Sequence, residues 1–150
     1  MKKWSLFMFI ILLHLGLRAQ NPVSWKYSVA KKEDQTYEIH LIAVLEEGWH
    51  AYSQTQPATA VPMPTKISFN KNPLVQLVGK VKEVGNMEKN KNESLKTEDW
   101  RYAGRVDFVQ LVHVKGNAKT NLSGTIVYMV CTNELCLPPT SVKFNLILKP

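Results

Sequence analysis

An all-β sandwich is the fold class that this chain predicts, on three observations. Apolar residues recur with period two along most of its length, the pattern of strands that bury one face. Beyond the N-terminal run, no stretch of ten or more residues shows helical periodicity. Turn-forming residues punctuate the alternating stretches, and prolines at 57, 62, 64 and 73 break up the middle.

The strands follow in order. Trp25, Tyr27 and Val29 alternate with Lys26 and Ser28. Tyr37, Ile39, Leu41, Ala43 and Leu45 form a second row, ended by the turn signal Glu46-Glu47-Gly48. Shorter candidates are Lys66–Phe69 and Leu74–Val78, the latter continuing after Gly79 as Lys80–Val84. Residues 85–99 are polar and poorly periodic, which predicts a long surface loop, and loops of that length are often functional. Val106, Phe108, Gln110, Val112 and Val114 alternate next, closed by Lys115-Gly116-Asn117. Leu122, Gly124, Ile126, Tyr128 and Val130 run straight into Cys131, and Val142, Phe144, Leu146 and Leu148 make the last strand. Seven or so such strands predict an antiparallel β-sandwich of immunoglobulin-like type. Trp25, Trp49, Trp100, Tyr27, Tyr102 and Tyr128 sit at strand-like positions and are assigned to the core rather than to a binding surface.

The N-terminus reads as an address. Met1-Lys2-Lys3 is positively charged, and Trp4 to Leu17 is an apolar run of 14 residues. A membrane-spanning helix needs about 17–25, so a cleavable signal peptide over residues 1–19 is predicted, with Ala19 at the cleavage point. Residues 20–150 then form one exported domain with no stable membrane insertion, expected to be a monomer. Removing Lys2, Lys3 and Arg18 lowers the basic residues from 19 to 16 against 12 acids, and the net charge from +7 to about +4. Lys80, Lys82, Lys89, Lys91 and Lys96 are interleaved with Glu83, Glu88 and Glu93, a solvated face rather than a nucleic-acid stripe. Glu46-Glu47 and Glu98-Asp99 fall at predicted turns and form no acid–base site. Neither a Ser-His-Asp arrangement nor a Gly-rich phosphate loop is discernible, and no cofactor is expected.

The chemistry lies in one segment, Tyr128-Met129-Val130-Cys131-Thr132-Asn133-Glu134-Leu135-Cys136-Leu137-Pro138-Pro139. Two cysteines in an exported chain suggest a structural disulfide by default. Spacing argues against that default, because closing six residues restricts the unfolded chain by only about 2 kcal/mol, against about 4 kcal/mol for some 60 residues. Both cysteines lie in one connection between consecutive strands, where partners reach them and where labile disulfides belong. Pro138 and Pro139 stiffen the exit and withdraw two backbone donors. No Lys or Arg lies between Tyr128 and Ser141, so the sequence supplies no local cation to lower a thiol pKa. Three readings stay open: a redox-active pair, an inert local staple in an interaction module, or a copper or zinc site completed by His50 or His113. Isolated histidines in such contexts are read first as surface residues, and His40 and His113 alternate with apolar residues as outward positions do.

The chain resembles the N-terminal periplasmic domain of the thiol:disulfide interchange protein DsbD family. Three segments carry the resemblance: Glu47-Gly48-Trp49-His50-Ala51-Tyr52-Ser53, Tyr102-Ala103-Gly104-Arg105-Val106-Asp107-Phe108, and Gly124–Cys131 with Cys136-Leu137-Pro138-Pro139. The last is the most specific, a tyrosine three residues before the first cysteine and x-Pro-Pro after the second. The resemblance implies an immunoglobulin-like fold and an oxidoreductase-type role in the periplasm. Cys131 and Cys136 would take electrons from a membrane-embedded thiol donor, here a separate chain, and pass them to thioredoxin-like proteins. His50, Tyr52, Tyr128 and Pro138 would flank the pair, His50 standing where the family has a tyrosine. A cap loop would fall within 85–99, with Met87 nearest to its tip. Four residues separate the cysteines here, against five in the family.

Overall fold

The computed structural model describes residues 21–149. The leader assigned to 1–19 and the terminal Pro150 lie outside them. Among the described residues, nine strands form two antiparallel sheets, an all-β arrangement consistent with the immunoglobulin-like sandwich that the alternation predicts. In chain order they are β1 (Val23–Glu33), β2 (Thr36–Leu45), β3 (His50–Tyr52), β4 (Lys66–Phe69), β5 (Val75–Asn92), β6 (Thr97–Val114), β7 (Thr120–Tyr128), β8 (Val130–Cys131) and β9 (Thr140–Leu148). The larger sheet runs β1-β2-β6-β3-β8 with β5 also on β6, and the smaller runs β4-β7-β9.

Burial follows period two. Tyr37, Ile39, Leu41, Ala43 and Leu45 of β2 are buried, as are Val106, Phe108, Gln110, Val112 and Val114 of β6. Leu122, Ile126 and Tyr128 of β7 with Phe144 and Leu148 of β9 supply the facing layer. The aromatic residues of β1 lean on that second layer, Trp25 edge-on to Tyr128 at 5.3 Å and Tyr27 at 6.0 Å from Phe144. Gln110 is the polar member of its row and satisfies itself by donating to the carbonyls of Val78 (3.0 Å) and Leu111 (2.7 Å). The Val78 carbonyl it reaches borders a bulge, since β5 slips register between Val78 and Lys82.

Residues 85–99 are not a loop. They complete a long hairpin in which Gly85 to Asn92 pair with Thr97 to Val106. The polar composition hid these strands because this part of the hairpin stands largely exposed, so neither face needs an apolar row. Glu98 and Asp99 therefore lie in a strand, where Glu98 accepts from Trp100 Nε1 at 2.9 Å and Asp99 from Asn90 Nδ2 at 2.9 Å. Trp100 is half-buried rather than core and carries Lys89 over its ring, 5.0 Å from the centroid. The lysines along β5 are charges on an outer edge, which discourage pairing with another chain.

β6 organises the site end of the molecule. Arg105–His113 pair with β2, whereas Arg101–Ala103 pair with β3. Gly104 sits at the changeover with φ +67°, a backbone conformation that side chains with a Cβ rarely adopt. The tight turn after β2, with Gly48 at φ +81° and Trp49 N–H donating to the Glu46 carbonyl at 3.1 Å, delivers His50 into register beside Ala103.

Candidate functional site

β7 belongs to the smaller sheet and β8 to the larger one, so the chain changes sheets at Met129. The uninterrupted strand expected from Leu122 into Cys131 is thus two strands. The break carries Cys131 across to β3, where His50 pairs with Cys131 and Ala51 with Val130. Side chains directly opposite in an antiparallel pair share a face, with Cβ atoms about 4.5–5.5 Å apart. Ala51, Val130 and Tyr102 point into the core. His50 and Cys131 point the other way, although both are enclosed, Cys131 at 1% and His50 at 9% exposure. The expectation of a surface histidine at position 50 is corrected here: pairing on both sides, to Ala103 and Cys131, encloses it.

After Cys131 the chain turns back on itself. Thr132 N–H donates to the Leu135 carbonyl at 2.8 Å, and the Thr132 hydroxyl accepts from the backbone of Glu134 (3.2 Å) and Leu135 (3.1 Å). Leu137 N–H then donates to the Val130 carbonyl at 2.9 Å, which places Cys136 directly opposite Cys131. The two are joined as a disulfide. A single row across the sheet therefore reads Ala103, His50, Cys131, Cys136. The two sulfurs are unequal: Cys131 is buried and Cys136 belongs to an exposed segment with Asn133, Glu134 and Leu135. Pro138 and Pro139, also exposed, lead into β9.

Tyr52 lies on the same face as His50, two residues along β3, and pairs with Arg101. It is buried at 3% exposure. Burial first, then the Asp99 charge, push its hydroxyl up to about 12 against a partial offset from Arg101, so it stays protonated at neutral pH. Tyr102, on the core face, is also shifted upward, by burial and by donating to Glu83 at 2.7 Å. Glu83 accepts as well from Gln54 N–H at 2.6 Å, which ties the segment after β3 to the hairpin.

One residue that sequence reasoning passed over reaches the site. Arg101 Nη1 contacts Asn133 Oδ1 at 3.5 Å, inside the loop between the cysteines, and its Nε lies 3.5 Å from Glu88. A cation is thus brought to the loop from 32 residues away in sequence. No local signal marks it, because only the β3–β6 register, with Arg101 opposite Tyr52, brings it to the loop. Tyr128, three residues before Cys131, is 1% exposed and packs in the core against Trp25, as its strand position predicts. Met87 pairs with Tyr102, in the row of Ala51 and Val130, on the face away from the disulfide.

His50 carries an unusual cost. Its Nδ1 is enclosed and has no hydrogen-bond partner in this disulfide state, an arrangement worth about 1–3 kcal/mol against the fold.

No protein-family model matches the chain, and no curated protein matches its sequence. Solved structures do match. The N-terminal periplasmic domain of ScsB from Proteus mirabilis superposes with TM-score 0.60 at 18% identity, over 88% of this chain and 49% of that one. The DsbD N-terminal domain of Neisseria meningitidis, in its reduced form, superposes with TM-score 0.52 at 13% identity, over 84% of this chain and 86% of that one. The chain has the fold of these domains. It spans about half the length of the ScsB structure.

Proposed function

We propose that this domain is a periplasmic thiol–disulfide carrier. It passes reducing equivalents from a membrane-embedded thiol donor to thioredoxin-like proteins through Cys131 and Cys136. The observation that carries the reading is the inequality of the two sulfurs: an exposed Cys136 bonded to a buried Cys131 across a four-residue turn. A staple gains nothing from such asymmetry. A carrier needs one sulfur that a partner reaches and one that resolves the mixed disulfide from behind. The fold shared with a DsbD N-terminal domain solved in a reduced form supports the same reading. Residues 1–19 would be the signal peptide that exports it.

The exchange begins with a donor thiolate attacking Cys136, which expels Cys131. A second donor thiolate then displaces the donor from Cys136 and leaves the pair as a dithiol. Delivery runs in reverse, with Cys136 attacking the acceptor's disulfide and Cys131 resolving the intermediate.

The test is the reduction potential of the pair in the 20–150 domain, equilibrated against glutathione buffers, together with exchange with a thioredoxin-like protein. A potential between about −270 and −180 mV, with exchange abolished by Cys136→Ser, is the expected result. A potential below about −300 mV is that of a structural disulfide and would sink the carrier reading.

A further inference from the structure

This inference rests on the carrier reading and concerns the fate of charge at the buried sulfur. When an incoming thiolate bonds to Cys136, the electron pair of the broken S–S bond goes to Cys131. That residue is 1% exposed, so water does not solvate the anion. Burial in apolar surroundings raises a thiol's pKa and makes it a poor leaving group. Something in the protein must stabilise the charge.

The groups that face this position come from three elements and the loop. β3 offers His50 and Tyr52, β6 offers Asp99 and Arg101, and β5 offers Glu88. The loop offers only the exposed Glu134. The carboxylates repel an anion, and Tyr52 is a neutral donor two residues along the strand. Arg101 lies 3.5 Å from both Glu88 and Asn133 and leaves its buried Nε without a hydrogen bond, but it sits opposite Tyr52, two residues along the strand from the row of Cys131. His50 remains. It is directly opposite Cys131 on the same face, it is nine-tenths buried, and its Nδ1 has no partner while the disulfide is closed. Reduction supplies that partner, because Cys131 then carries either a proton to donate or a charge to receive one.

We propose that His50 is the acid–base partner of Cys131. On reduction of the pair, the bond from the donor sulfur to Cys136 forms and the Cys136–Cys131 bond breaks. The electron pair passes to Cys131 Sγ, and the His50 imidazolium stabilises the thiolate and returns a proton to it. In delivery the imidazole takes the Cys131 proton. The thiolate then attacks Cys136 in the mixed disulfide, and the acceptor leaves as a thiolate. Histidine suits this task because its ordinary titration lies nearest to neutral pH.

Two measurements test the assignment. In Cys136→Ser, Cys131 is the remaining thiol, and its ionisation is followed by thiolate absorbance near 240 nm with and without His50→Asn. Loss of His50 should move the midpoint of thiol ionisation to higher pH by about one unit or more, the scale of a neighbouring positive charge; an unchanged titration overturns the proposal. In the intact pair, the rate of reduction by dithiothreitol is measured from pH 5.5 to 9, and the parent rate is divided by that of His50→Asn. The quotient cancels the reagent's own ionisation. It should be on the order of tenfold at pH 6 and approach one by pH 9, as the imidazolium disappears. A quotient independent of pH, whatever its size, reports altered packing or the permanent charge of Arg101, and overturns the proposal. His50→Gln, a second neutral replacement, must give the same pH dependence. Because the reductant is a small molecule, the two readings fail separately. A domain with this pH signature but no exchange with protein partners loses the carrier role and keeps the His50 assignment. A carrier with a flat quotient does the reverse.

Discussion

Single-cysteine variants should differ by about two orders of magnitude in their reaction with a bulky thiol reagent. In Cys131→Ser the remaining Cys136 lies in an exposed turn, and reagent meets it without any opening of the fold. In Cys136→Ser the remaining Cys131 is 1% exposed and its neighbour Val130 is 2% exposed, so β8 must peel from β3 before the sulfur is reached. Exposing a valine side chain costs about 1.5–3 kcal/mol and the cysteine about one methylene more, near 0.8 kcal/mol. An opening cost of about 3 kcal/mol leaves the reactive state populated at roughly one part in 150, since every 1.4 kcal/mol is tenfold. The assay is pseudo-first-order labelling with a disulfide reagent at pH 7.5, followed by mass spectrometry. Each rate is divided by that thiol's ionised fraction from its own absorbance titration, so that differences in pKa drop out. Corrected rates within threefold of one another would refute the inequality of the two sulfurs, and with it the choice of Cys136 as the attacking thiol.

Other consequences follow from the packing and the buried hydroxyls. A Cβ on Gly124 would stand 2.2 Å from the Ser68 carbonyl and 2.5 Å from Phe144 Cζ. The carbonyl is held where β4 pairs with β7, and Phe144 is wedged against Phe69 and Tyr27. Gly124→Ala should therefore destabilise by about 2–3 kcal/mol, read as a lowered urea midpoint at unchanged slope; a change under about 0.5 kcal/mol contradicts the geometry. Tyr52 and Tyr102 both hold their protons above the ordinary tyrosine value of 10.0, Tyr52 to about 12. Their contribution to stability is complete below pH 10, where folded and unfolded chains are both protonated. It is lost as pH rises from 10 through the folded value, because the unfolded chain ionises first. Urea midpoints measured from pH 8 to 12 should fall across that window, and Tyr52→Phe should make the fall shallower; an equal slope in the variant counts against a buried Tyr52.

The alternating rows show how far local pattern reaches. Tyr37 to Leu45 and Val106 to Val114 were legible because each faces the sandwich interior on one side and is half-exposed on the other, so burial prints its period on the sequence. The hairpin within 85–99 was illegible for the opposite reason. Its strands are held by backbone pairing at a sheet edge, which any side chain permits, and its face is too exposed to demand apolar residues. The break at Met129 left no trace either, since Val130 continues the apolar alternation of β7 while entering a different sheet.

At the site the division is similar. The sequence by itself determined that Cys131 and Cys136 close a short turn, that prolines stiffen its exit, and that the pair is the chain's one locus of sulfur chemistry, because these are properties of neighbours along the chain. Tertiary structure alone decided that Cys131 is buried while Cys136 is exposed, that His50 stands across from the buried sulfur, and that Arg101 reaches the loop. Those relations are set by strand register between segments some 30 to 80 residues apart. A slip of one residue would turn every one of these side chains to the other face, and nothing within any single segment records which register the folded sheet adopts.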